Sequence, residues 1–381
     1  MKYYIIAGEP SGDLQGASLV RALRQADAQA DIRCWGGELM AAEGAVLVKH
    51  YRDLAFMGFV EVVRNLPTIL RNFRFAKADI KAFAPDCLIL IDYPGFNMRM
   101  AQWGKSNGLR VFYYISPQLW AWHTSRVKVI RECVERMFVI FPFEESFYKK
   151  HGVEVTFIGH PLAAVIERHE PPTDFHQKNN LPEDKPIIAL LPGSRRQEVA
   201  RMLGQMLKVP TLFPDYQFVV ASAPSLELAF YESFLAGFPS VKSVGNQTYD
   251  LLKNAHAALV TSGTATLETA LFRVPQVVCY RAGNLSYQLA KRLVNKDLKY
   301  ISIVNLIAGN RVVEELIQDD FREERTAEAL NSILSNEKRQ AIFAGYEKVR
   351  QLLGPTDCAE RAAGYITAAI SQPAPHHTKS L

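Results

Sequence analysis

Cysteine is scarce and scattered: Cys34, Cys87, Cys133, Cys279 and Cys358 are an odd number, far apart, in apolar or helical surroundings. Such a set points to reduced core thiols and excludes a disulfide framework. Neither CxxC nor HExxH occurs, so structural zinc and zincin sites are excluded and no metal or other cofactor is expected. No apolar run reaches the ~18 residues that span a bilayer, so any membrane contact should be peripheral. Met1 to Gly8 enters a strand without the basic, apolar and cleavage regions of a signal peptide, and a cytoplasmic location is expected. A long Lys/Arg block and an RNA-binding signature are also missing, which speaks against nucleic acid. The net charge of +5 suits phosphorylated ligands or an anionic membrane surface. GxGxxG, GxxxxGK[ST] and short-period repeats are absent too, so neither a dinucleotide fingerprint nor a P-loop is expected.

What is present is ordinary globular material, 48% hydrophobic and 22% charged in 381 residues, enough for roughly two to three domains. The organising stretch is IIALLPGSRRQEV, Ile187 to Val199. Ile187–Leu191 reads as a buried parallel strand, Pro192-Gly193-Ser194 as a turn, and Ser194 as the N-cap of the helix that follows. A strand, a small-residue turn and a helix N-terminus make an anion site, to which Arg195 adds a bidentate phosphate contact. An ordinary βα turn carrying a surface arginine has the same pattern.

The first half opens on a strand, Tyr3 to Ala7, and the turn GEPSGD, which sets Glu9, Ser11 and Asp13 near the strand's carboxyl end, where open α/β sheets place ligands. Capping for Ser11 and helix-dipole complementarity for Asp13 are the alternatives. Leu54 to Phe83 mixes an apolar face with Arg64, Arg71, Arg74, Lys77 and Lys81, which fits a headgroup layer, a lipid chain or a plain core-facing helix. Cys87 to Ile91 is a buried strand that empties into Asp92-Tyr93-Pro94-Gly95-Phe96-Asn97, so Asp92 stands where a general base belongs, a turn-forming aspartate being the competitor. Val111 to Ile115 runs into Ser116 to His123, where Trp120, Trp122 and His123 suit a sugar or acyl surface or a packed corner.

Residues 167–185 turn polar and proline-bearing, as an interdomain linker does. Ala257 to Val260 leads into TSGTATLET, where Ser262, Gly263 and Thr264 offer amides and hydroxyls to phosphate. Glu268, a turn inside that helix, either accepts from ribose hydroxyls or closes a capping box with Thr264. Asn305-Leu306-Ile307-Ala308-Gly309 follows a basic stretch with Lys291, Arg292, Lys296 and Lys299. Glu323 to Leu353 is helical by pattern, Gly354-Pro355 breaks it, a helix runs from about 356 to 370, and a disordered tail is expected over 371–381.

With GEPSGDLQGASL, IDYPGFN, SPQLWAWH, FPFE, GHPL, LLPGSRRQE, SGTATLETA and NLIAG in this order, the chain resembles the lipid-A-disaccharide synthases from residue 1 to about 370. The resemblance implies an α/β fold of two Rossmann-like domains facing across a cleft (GT-B), an acceptor domain over 1–168 and a UDP-sugar domain over 186–353. The C-terminal helix is expected to return to the first domain or to be exchanged in a homodimer. It implies a peripheral, inner-membrane-face enzyme that needs no metal and joins UDP-2,3-diacylglucosamine to 2,3-diacylglucosamine 1-phosphate through a β-1,6 bond. Carried over position by position, it puts the essential acid at Asp92, with Glu9 in reserve. Donor contacts fall at Gly193, Ser194, Arg195, Ser262, Gly263, Thr264, Glu268 and Asn305, and acceptor contacts at Ser11, Asp13, Asn97, Trp120, Trp122 and His123. Gly95 departs from the second acid, and His123 from the arginine, that many members carry. An aspartate base at neutral pH requires desolvation or late proton transfer. A UDP-sugar 2-epimerase, a sugar-nucleotide sensor and a hinged solute-binding protein are the competing classes.

Overall fold

The structure, a computed structural model, describes residues 1–54, 66–121, 124–283 and 299–372. Trp122, His123, residues 55–65 of the apolar and basic stretch, Lys291, Arg292, Lys296 and the tail 373–381 lie outside the described residues. The chain divides into two compact units, Met1–Pro161 together with Gly354–Leu381, and Leu162–Leu353.

The first unit holds a seven-stranded sheet: β1 (Lys2–Ala7), β2 (Asp31–Gly36), β3 (Val46–His50), β4 (Cys87–Ile91), β5 (Arg110–Tyr114), β6 (Arg136–Val139) and β7 (Val155–Phe157), in the order β3-β2-β1-β4-β5-β6-β7. The second holds β8 (Ile187–Leu191), β9 (Gln217–Ser222), β10 (Lys242–Gly245), β11 (Ala255–Thr261), β12 (Gln276–Tyr280) and β13 (Glu314–Ile317), in the order β10-β9-β8-β11-β12-β13. All pairings are parallel. Each sheet therefore reverses its strand order once, between β1 and β4 and between β8 and β11. In doubly wound sheets the crevice at that reversal, beyond the carboxyl ends of the strands, is where ligands bind.

Seven helices bear on the sites: α1 (Pro10–Ala26), α2 (Glu38–Ala42), α3 (Leu66–Phe83), α4 (Pro94–Ser106), α5 (Arg196–Met206), α6 (Thr264–Leu271) and α7 (Cys358–Ser371). Burial on both faces explains why CLILI and IIALL carry no polar residue. Successive residues of β1 feed opposite layers. Tyr3, Ile5 and Ala7 meet Leu19, Val20 and Leu23 of α1 and Ala362, Ala363 and Ile366 of α7. Tyr4 and Ile6 meet Phe73, Ala76 and Ile80 of α3 and Phe96 and Met100 of α4. The C-terminal helix thus completes the first unit's core and ends at Ser371, one residue inside the expected tail.

The linker reading of 167–185 is corrected. Phe175 and Leu181 are buried in the second unit's core, and His169 and Asn179 bond Asp250 and Gln247 of the same unit. The chain instead crosses between units at Pro161/Leu162 and Leu353/Gly354. The long helix expected over 323–353 is two, Glu323–Leu334 and Asn336–Leu352, broken at Ser335. In α3 the core-facing reading holds for Phe73, Ala76, Ile80 and Phe83, while Leu66, Leu70 and Phe75 stand exposed beside Arg71 and Arg74. Among the described residues no helix is long and apolar enough to cross a membrane.

Candidate active site

Strands β1 and β4 pair with Ala7 opposite Ile91, so the turns Gly8-Glu9 and Asp92-Tyr93 leave the sheet side by side. The Tyr93 ring lies 2.4 Å from where a Cβ on Gly8 would stand, which is why that position is glycine. Asp92 and Tyr93 both adopt left-handed backbone, with φ of 42° and 47°. For non-glycine residues this costs on the order of 1–3 kcal/mol each and persists only where the surroundings dictate it. Here they do. The Tyr113 hydroxyl donates to the Asp92 carbonyl at 2.5 Å, and Asn97 Nδ2 donates to the carbonyls of Asp92 and Ile91 at 3.0 Å and of Ile6 at 3.3 Å. The Tyr93 hydroxyl donates to the Leu54 carbonyl at 3.2 Å.

The held elbow leaves the Asp92 carboxyl half-buried, and burial, reinforced by the negative charge of Glu9, pushes its pKa up to about 6. A carboxylate with that affinity accepts a proton from a substrate hydroxyl far more readily than an ordinary aspartate. Glu9 stands at the N-cap position of α1 with no side-chain capping bond, so its carboxylate is not spent on the helix. Tyr113→Phe removes one of the two donors on the Asp92 carbonyl. It is expected to lower kcat about fivefold, the worth of one hydrogen bond, with both KM values unchanged in steady-state kinetics.

Several residues expected to face the acceptor are structural. Asp13 is buried and accepts the amides of Gly37, Leu39 and Met40, capping α2 across 24 residues of chain. Asn97 is fully buried and works on the elbow from beneath. Trp120 is a packed corner, edge-on to Phe141 and Phe143. Ser11 is exposed on the first turn of α1, and a Cβ added at Gly95 would meet nothing within 4 Å. Trp122 and His123 lie outside the described residues. Glu144 of FPFE had no expected role. It is buried, accepts the amides of Ile140 and Phe141, and burial raises its pKa to about 8. Only its place in a strand-ending motif hinted at this.

The second unit repeats the arrangement. Strands β8 and β11 pair with Leu191 opposite Val260, which brings the turns Pro192–Arg195 and Ser262–Gly263 together. Arg195, not Ser194, occupies the N-cap of α5, and Gly193 takes φ of 107°, a left-handed value that favours glycine. The Ser194 amide, expected to face phosphate, donates to Glu198 Oε2 at 3.1 Å instead. In the first turn of α5 the Glu198 amide donates to the Arg195 carbonyl at 2.9 Å, which leaves the Arg196 and Gln197 amides without an intrahelical partner, and Arg195 is exposed beside them. Arg196 stacks on Phe230, which separates the roles of the two arginines.

Gly263, not Thr264, is the N-cap of α6, so no capping box claims Glu268. Its carboxylate accepts from the Tyr249 hydroxyl at 3.2 Å, and burial raises its pKa. The Ser262 hydroxyl donates to the Ile301 carbonyl. Asn305, expected as a donor contact, has its side-chain amide taken up within the second unit. It donates to the Val313 carbonyl and Glu315 and accepts from the amides of Val312 and Val313, which saturates its amide. Among the described residues no three His, Cys, Asp or Glu side chains converge as a metal set.

This paired geometry agrees with what the chain is similar to. The family model described as Lipid-A-disaccharide synthetase matches residues 3–368. The lipid-A-disaccharide synthase of Syntrophus aciditrophicus is 40% identical over 366 residues, covering 94% of this chain and 95% of that protein. That of Geobacter metallireducens is 40% identical over 368 residues, covering 95% of each. Among solved structures, the UDP-GlcNAc 2-epimerase of Neisseria meningitidis bound to UDP-GlcNAc superposes with a TM-score of 0.66 at 12% identity, over 97% of this chain and 100% of that one, a likeness of fold alone. The family match spans nearly the whole chain and carries both switch-point turns, and the chain belongs to the lipid-A-disaccharide synthase family, glycosyltransferases of lipid A biosynthesis.

Proposed function

We propose that this glycosyltransferase transfers the sugar of UDP-2,3-diacylglucosamine to the 6-hydroxyl of 2,3-diacylglucosamine 1-phosphate, with inversion at the donor's anomeric carbon. The acceptor oxygen bonds to that carbon as the bond to the diphosphate breaks. The hydroxyl proton passes to Asp92, and UDP leaves with the electron pair. The observation that carries this reading is the Asp92 carboxyl, raised to about 6 at the strand-order reversal of the first unit. Arg195 and the first-turn amides of α5 and α6 take up the charge that develops on the diphosphate, as preorganised donors do in many transferases. Glu268 accepts from ribose hydroxyls in this scheme. The UDP-GlcNAc bound to the epimerase of the same fold supports a UDP-sugar donor. Exposed Leu66 and Leu70 with Arg74 support peripheral docking on an anionic membrane.

Incubation with both acylated sugars should give the disaccharide 1-phosphate and UDP, detected by mass. Treatment with EDTA should leave the rate unchanged. The donor alone should be returned unaltered, because an epimerase needs no acceptor. Epimerised donor in place of disaccharide would overturn the proposal.

A further inference from the structure

Away from the strand-order reversal, the first unit contains a cavity of 570 Å³ between the edge strand β3 and α3. Lys49, His50, Asp53, Thr68, Arg71 and Asn72 are among the residues that line it. Asn72 is the telling residue. It is only 6% exposed, yet its amide makes no hydrogen bond among the described residues. Packing thus holds the side chain while its polar atoms stay open to the cavity, ready to bond a ligand there. The basic side chains around it differ in their commitments. Lys49 pairs with Asp53 at 3.4 Å. His50 accepts the Arg52 amide at Nδ1 and sets Nε2 3.0 Å from Glu38. Arg71 pairs with no carboxylate among the described residues and makes only a long 3.4 Å contact with the Thr68 hydroxyl. A guanidinium, an amide and a hydroxyl facing one space, with Val48 and Phe75 as apolar wall, suit a phosphate ester on an amphipathic molecule.

The position fits as well. His50, at the carboxyl end of β3, lines the cavity, and Asp92 follows the carboxyl end of β4. Three strand steps separate them in the order β3-β2-β1-β4, about 14 Å at the usual spacing. A sugar with its reacting hydroxyl at one end and a phosphate at the other covers much of that distance, and an arginine side chain covers the rest. The aromatic series Phe73, Phe96 and Tyr93 joins the neighbour of Asn72 to the neighbour of Asp92, with centroid separations of 4.1 and 5.8 Å.

We propose that this cavity is a phosphate-ester site and that it holds the phosphate of the acceptor sugar, an inference that rests on the acceptor chemistry given above. Arg71→Ala and Asn72→Ala in the full chain should each raise the acceptor KM about tenfold, the worth of one charge-assisted hydrogen bond, with kcat and donor KM unchanged. With an acceptor lacking the phosphate, both variants should match the wild type. Asn72→Ala should not lower Tm, because no intramolecular hydrogen bond is lost. An unchanged acceptor KM, or an equal loss with both acceptors, overturns the proposal. Sedimentation with phosphatidylglycerol vesicles separates the other source of phosphate: binding should be the same for wild type and variants. Vesicle binding lost with acceptor KM intact assigns the cavity to phospholipid and overturns the acceptor assignment. Should the wild type form no disaccharide, the acceptor chemistry itself fails. NMR titration with glucosamine 1-phosphate then decides the site: shifts abolished in Arg71→Ala sustain a phosphate-ester site, and a wild type without shifts removes it.

Discussion

Asp92→Asn is expected to cut disaccharide formation by about 10² to 10⁴ in kcat, the usual span for a general base, while UDP binding stays intact. In the wild type, kcat/KM should rise about tenfold per pH unit up to about 6 and then level off, because the deprotonated carboxylate is the active form. Glu9→Gln removes the second cause of the raised pKa and should move that acid limb downward without abolishing activity. The same shift has a stability consequence of definite sign. The folded pKa, about 6, lies above the ordinary 3.8, so the native state binds the proton more tightly than the unfolded chain. At pH below 3.8 both states are protonated and the site costs nothing. As pH rises from 3.8 through 6 the native state loses stability, up to roughly 3 kcal/mol. Asp92→Asn should therefore melt higher than wild type at pH 8 and alike at pH 3.5. Thermal denaturation at the two pH values checks this, and a lower Tm at pH 8 together with near-normal turnover would remove Asp92 from its role.

Asp92 was legible because its evidence is local. An unbroken five-residue run, CLILI, is too short for a helix and fits a strand buried on both faces, and the first acid after such a strand stands at its carboxyl end. The same reasoning found IIALL and the turn after it. Edge strands were harder: KSVG in β10 and EELI in β13 pair on one side only and carry polar residues, so no apolar run announces them. The site residues that changed role did so through partners far along the chain. Asp13 finds its amides at 37 to 40, and Asn305 is saturated by residues 312 to 315, contacts that no spacing rule anticipates. Ser194 and Thr264 each miss the expected cap by one residue, within the ordinary uncertainty of helix ends. Residues 167–185 look like a linker because they are polar and rich in proline, yet Phe175 and Leu181 suffice to anchor them.

Arg195→Ala is expected to raise the donor KM about 10- to 100-fold, the range for losing a charge-assisted contact to diphosphate. Acceptor KM should stay constant, and Arg195→Lys should recover only part of the loss because an ammonium cannot grip two oxygens in one plane. The neighbouring Arg196 offers no substitute, since it is stacked on Phe230. Glu198 gives a second, opposite test. Its carboxylate fixes the turn by accepting the Ser194 amide, and it also sets a negative charge beside the place proposed for the diphosphate. Glu198→Gln keeps an acceptor for that amide and removes the charge, so UDP should bind more tightly. Glu198→Ala loses the acceptor and frees the Gly193 turn, so UDP should bind more weakly. Calorimetric titration with UDP distinguishes the pair. If both variants weaken binding alike, the Glu198 charge does not face the diphosphate. If Arg195→Ala leaves donor kinetics unchanged, the diphosphate is not held at this turn.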